Sequence, residues 1–140
     1  MTITAPTAPK ESEALAWLVG DWNVICHYHN PDGDVKEFAA ISRINRQLGG
    51  YAYVEELTGD MEGVRVEILI YRAYSPKGKR WHMAWLDTLS PSIWPILQEV
   101  EADGFIGEGT LLRQMKTDDA PTRLLTIADQ SGDHFNLTFA

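Results

Sequence analysis

The chain has 140 residues and a mass of 15.7 kDa, which is room for one domain. With 44% hydrophobic and 23% charged residues it has an ordinary globular composition, which excludes disorder, collagen-like repeats and coiled coil. Twenty acidic against twelve basic residues give a net charge of -8, which argues against nucleic acid or an anionic membrane as partner.

Residues 1–10 read as a flexible tail, and residues 11–140 as a single domain. The opening stretch from Met1 to Pro6 lacks the basic and apolar segments of a signal peptide. No apolar run reaches the about 18 residues of a membrane-spanning helix. A cytoplasmic location is therefore expected. Ser12 is expected to cap a short helix of about two turns, with Leu15, Leu18 and Val19 on its apolar face and Gly20 past its end.

From Gly20 onward, turn chemistry punctuates a series of strands. They are expected over 22–29, 35–47, 51–57, 64–74, 80–87, 93–101, 105–115, 123–128 and 134–139. The breaks are Asn30-Pro31-Asp32-Gly33-Asp34, Gly49-Gly50, Thr58-Gly59-Asp60, Ser75-Pro76-Lys77-Gly78 and Ser90-Pro91-Ser92. The expected fold is all-β, an antiparallel β-barrel of about 8–10 strands with a short N-terminal helix.

Period-two alternation sorts the side chains by face. Trp22, Val24, Cys26 and Tyr28 are expected inward, which puts His27 and His29 outside. Tyr51, Tyr53, Glu55 and Leu57 share a face, as do Val64, Val66, Ile68, Ile70, Arg72 and Tyr74. Trp81, Met83, Trp85 and Asp87 form the inward set of the next strand, and Phe135, Leu137 and Phe139 that of the last. The interior is thus aromatic-rich but carries Arg72, Asp87 and Glu55. Buried ionisable groups are costly unless paired. Arg72 is expected to pair with Asp87 or Glu55 as structural glue, or these strand ends to meet water; the same groups also suit a ligand cavity with a few polar anchors, and both accounts can hold together.

The run Leu18-Val19-Gly20-Asp21-Trp22, a short helix entering a Gly-x-Trp, resembles the opening of the calycin superfamily, the lipocalins and fatty-acid-binding proteins. In them the Trp plugs the closed end of the barrel. Leu48-Gly49-Gly50-Tyr51, then Val54-Glu55-Glu56-Leu57-Thr58-Gly59, and then Tyr74, Trp81 and Trp85-Leu86-Asp87-Thr88 resemble a bacterial lipocalin-like family of unknown function. The resemblance covers residues 14 to about 95 and implies a barrel and a cavity, with no reaction attached. Ser75 stands where members usually carry Asp. The chain ends at Ala140 directly after a strand, so closure with one strand fewer, or a shortened form, is expected.

Most catalytic chemistries find no support. His27-x-His29 with Asp34 approaches a cupin metal pattern, but both histidines face outward and no second half follows, so no metal site is expected. Asn30-x-Asp32-x-Asp34 lacks the Gly and Glu of a calcium loop, having Val35 and Ile41 there. The lone Cys26 allows no internal disulfide, and its neighbour His27 lies on the opposite face. Neither a Gly-x-Ser-x-Gly elbow nor a Gly-rich phosphate loop exists, and no cofactor is expected.

The first reading is a cytoplasmic binding barrel, monomeric or homodimeric, for a small, mostly apolar or aromatic molecule. Trp85, Trp81 and Met83 supply contact surface, Arg72 or Asp87 an orienting charge, and Tyr53, Tyr74 and Glu55 the rest of the wall. The alternative is a cofactor-free isomerase, cyclase or dehydratase acting on a polyketide-like or terpenoid-like substrate. There Asp87 or Glu55, its proton affinity raised by desolvation, serves as acid or base, and Tyr53 or Tyr74 holds a carbonyl oxygen. A third possibility is an interaction protein whose barrel is filled by its own aromatic side chains.

Overall fold

The computed structural model describes residues 7–29, 33–88, 94–101, 104–107, 111–117 and 121–128. A 3₁₀ helix, Lys10–Leu18, precedes nine described strands: β1 (Gly20–His29), β2 (Val35–Gln47), β3 (Ala52–Met61), β4 (Val64–Ser75), β5 (Arg80–Asp87), β6 (Trp94–Glu101), β7 (Gly104–Gly107), β8 (Leu111–Lys116) and β9 (Thr122–Ala128). Each strand pairs antiparallel with the next, and β1 pairs with β9 to close the barrel. An up-and-down order with an odd strand number points the first and last strands the same way. The closing ladder is accordingly parallel, running from Asn23↔Thr122 to His29↔Ala128.

The alternation expected from the sequence is the alternation of burial. On β2, Phe38, Ala40, Ser42 and Ile44 are buried between exposed neighbours. On β4 the buried set is Val66, Ile68, Ile70 and Arg72, and on β5 it is Trp81, Met83, Trp85 and Asp87. Val64, at the rim of β4, is exposed. The expected strand 134–139, with Phe135, Leu137 and Phe139, lies outside the described residues, as does the 1–6 part of the expected tail.

Three local expectations are corrected. The helix is a 3₁₀ helix that starts after Pro9, so Ser12 lies inside it and caps nothing. Ser12, Leu15 and Leu18 are its buried residues, and three residues per turn stack such an i, i+3, i+6 set on one line. Val19 falls beyond the helix and is exposed. Second, β3 runs through Thr58-Gly59-Asp60 and turns at Glu62-Gly63, whose φ values of 52° and 85° make the two-residue hairpin suited to strand twist. Gly59 is there for closeness, since a Cβ would come within 2.8 Å of the Ala39 carbonyl oxygen. Third, the single strand expected over 105–115 is the hairpin β7–β8, with Gly107 opposite Leu112.

The 3₁₀ helix covers the barrel end where β1 starts and β2 finishes. Leu15 and Leu18 are fully buried beneath it. Trp22 Nε1 donates to the Leu18 carbonyl at 2.6 Å, Tyr53 Oη donates to the Ser12 carbonyl at 2.6 Å, and Arg46 Nη2 reaches Glu13 at 2.6 Å. Trp17 meets Trp22 edge to face at 5.8 Å. Trp22 is thus half-buried at the closed end, anchored to the helix that its sequence context announces.

Candidate functional site

Four strands contribute a buried ionic centre. The inward parity of β2, β3, β4 and β9 delivers Ser42, Glu55, Arg72 and Arg123 to one region of the interior. The side chains of all three charged residues have no solvent exposure. Arg72 Nη2 lies 2.8 Å from Glu55 Oε1. Arg123 Nη2 donates to Glu55 Oε2, and also to Ser42 Oγ at 3.0 Å. Ser42 Oγ in turn donates to Glu55 Oε2 at 2.5 Å. The Arg123 guanidinium also sits 5.1 Å over the Trp22 ring, so the centre is tied to the closed end.

Burial by itself raises a carboxyl pKa, but the charges of Arg123 and Arg72, with the hydrogen bonds from Arg123 and Ser42, overcome it and hold Glu55 at about 2. The proton affinity expected of Glu55 is therefore reversed. It is an ionised carboxylate with an arginine at each oxygen. Burial also draws the Arg72 pKa down, against the pull of Glu55. The Cys26 thiol, buried and near Glu55, is pushed up to about 12, which makes it inert packing.

A second polar region lies along β5 and β6. Trp85 and Asp87 are buried, and Trp85 Nε1 donates to Asp87 Oδ2 at 2.9 Å. Trp81 is flanked by Tyr74, edge to face at 5.8 Å, and by Tyr53 at 6.3 Å. Met83 is buried on the same face. Gln98 sits directly across the ladder from Trp81, so the two share the interior face. It is 3% exposed, and neither its amide oxygen nor its amide nitrogen has a hydrogen-bond partner among the described residues.

The structure thus puts Glu55, Arg72, Trp81, Met83, Trp85, Asp87 and Tyr53 inside the barrel, with Tyr74 partly buried beside Trp81. Of the two partners expected for Arg72, Glu55 is an ion-pair partner. Tyr53, expected to hold a carbonyl oxygen of a bound molecule, spends its hydroxyl on the helix. Arg123, Ser42 and Gln98 are additions that strand parity alone did not single out. Arg123 carries a usable signal, a lone arginine two residues before Leu125 at the head of an apolar strand.

His27 lies on the outer face, where its ring nitrogen meets Glu37 at 2.8 Å. Among the described residues no three His, Cys, Asp or Glu side chains gather as metal ligands. Two depressions, of about 470 and 720 Å³, are formed by described residues. Both draw on Glu56 and Thr58, which alternate with the inward Glu55 and Leu57 and therefore belong to the outer face. No described helix is long and apolar enough to cross a membrane.

The profile of a family described as a protein of unknown function, DUF1579, matches residues 7–130 of this chain. No curated protein and no solved structure matches it.

Proposed function

We propose a function from the geometry, since the chain belongs to the DUF1579 family and that family has no activity attached to it. The protein is a cytoplasmic, lipocalin-like barrel of the calycin kind that holds a small, mostly apolar molecule in its interior. In support, a short helix leads into Gly20-x-Trp22 and covers one end, and the barrel is of up-and-down order. The observation that carries the reading is the β5–β6 wall. Trp81, Met83 and Trp85 offer broad apolar contact, while Asp87 and Gln98 place polar atoms within it. That is the composition of a small-molecule site, apolar lining with a few directed polar groups.

The test is titration of the purified protein with decanoate, retinol and 1-naphthoate, read by tryptophan emission and thermal melting. The expected result is saturable quenching by at least one of them, accompanied by a rise in Tm. If none changes either signal, the interior is a packed core and the binding reading fails.

A further inference from the structure

We infer that Gln98 is the residue that orients the bound molecule, and that the group it receives is a neutral carboxamide-type head: an amide, lactam or imide. The inference rests on the binding reading above and deepens it. A primary amide presents one acceptor oxygen and two N–H donors side by side. Buried polar groups in native proteins are nearly always hydrogen-bonded, and leaving both ends of an amide unmet is costly. Gln98 is in that position, 3% exposed, on the interior face opposite Trp81. A head group with adjacent C=O and N–H answers both ends at once, in a paired ring of two hydrogen bonds. Trp81, directly across the ladder from Gln98 and flanked in turn by Tyr74 and Tyr53, offers aromatic surface to the apolar body.

Charge decides between neutral and anionic heads. The buried Asp, Glu, Lys and Arg side chains among the described residues are Arg72 and Arg123 on one side, and Glu55 and Asp87 on the other. Among the described residues two positive and two negative formal charges are buried, and Glu55 already bridges both guanidiniums. Beside these paired groups a carboxylate ligand would bring a further negative charge, whereas a carboxamide brings none.

The test compares decanamide with decanoate, and 1-naphthamide with 1-naphthoate, by calorimetry and tryptophan quenching at pH 7.5. The wild-type protein is expected to bind each amide at least ten times more tightly than its matched carboxylate. Gln98→Leu should lose that preference by weakening the amide alone. The unliganded variant should melt at or above the wild-type temperature, because a buried amide without partners is exchanged for an apolar side chain of similar size. If a carboxylate binds as well as its amide, or Gln98→Leu binds the amide as wild type does, the inference fails while the binding reading stands. A Tm several degrees lower in Gln98→Leu would make Gln98 a structural residue and also overturn it. Should the variant not fold, the wild-type ratio of amide to carboxylate affinity still decides. Binding of none of these probes, nor of decanoate, retinol or 1-naphthoate, would defeat both readings.

Discussion

Two polar regions share one barrel interior and differ in how fully they are satisfied. Around Glu55 both carboxylate oxygens are taken, by Arg72 on one side and by Arg123 and Ser42 on the other. Around Gln98 the same degree of burial leaves an amide unmet among the described residues. Burial of a polar residue is therefore no guide to its role by itself. A charged group met by counter-charges holds the fold together, and a buried amide without a partner is a candidate for a role of another kind.

The largest expected effect breaks the satisfied region. Glu55→Ala leaves two buried guanidiniums without the carboxylate between them, and should cost about 3–5 kcal/mol in urea unfolding. Replacing the whole triad, with Glu55→Leu, Arg72→Met and Arg123→Met, should recover most of that loss, because an apolar set avoids the desolvation of all three. A loss under about 1 kcal/mol in Glu55→Ala would show that water reaches the centre.

Trp22→Ala comes next, at about 3 kcal/mol by thermal melting, since it removes a large aromatic with its bond to Leu18 and its contacts with Trp17 and Arg123. A melt within a degree of wild type would remove Trp22 from the closure of the barrel.

The same ionic centre sets an acid limit. Glu55 is held at about 2 in the folded protein against an ordinary value of 4.5. A depressed carboxyl pKa stabilises the fold fully above the ordinary value, and that contribution is lost as pH falls from about 4.5 through about 2. Melting curves across that range should fall more steeply for wild type than for Glu55→Gln, which has no such proton to take up. Parallel curves would mean that Glu55 is not the group responsible.

Much of this contrast is legible in the sequence, and the reasons for the rest are physical. β2 and β5 span the expected residues, and alternation places Glu55, Arg72 and Asp87 inside, because a strand with one buried face fixes its side chains two by two. What alternation leaves open is which inward groups meet. Arg123 joins Glu55 across 68 residues of sequence, a pairing made by barrel closure between β1 and β9. Gly59 reads as a turn residue until the approach of β2 is known, and a 3₁₀ helix differs from an α-helix by a period of three that three residues, Ser12, Leu15 and Leu18, reveal only once their burial is known.

The smallest effect lies outside the barrel. His27→Ala with His29→Ala should change stability by no more than about 0.5 kcal/mol, because the contact of His27 with Glu37 lies on the outer face. A larger loss, or one metal ion per chain that disappears in the double variant, would give the outer face a role that the interior has here.

The most direct measurement is a set of ¹H–¹⁵N spectra recorded while decanamide, decanoate, retinol and 1-naphthoate are added in turn. The indole N–H signals of Trp81 and Trp85 and the side-chain amide of Gln98 should move together and saturably with at least one of them. The backbone amides of Glu56 and Thr58, beside the outer depressions, should move least. Saturable shifts centred on Glu56 and Thr58, with Trp81, Trp85 and Gln98 unmoved, would contradict binding in the interior.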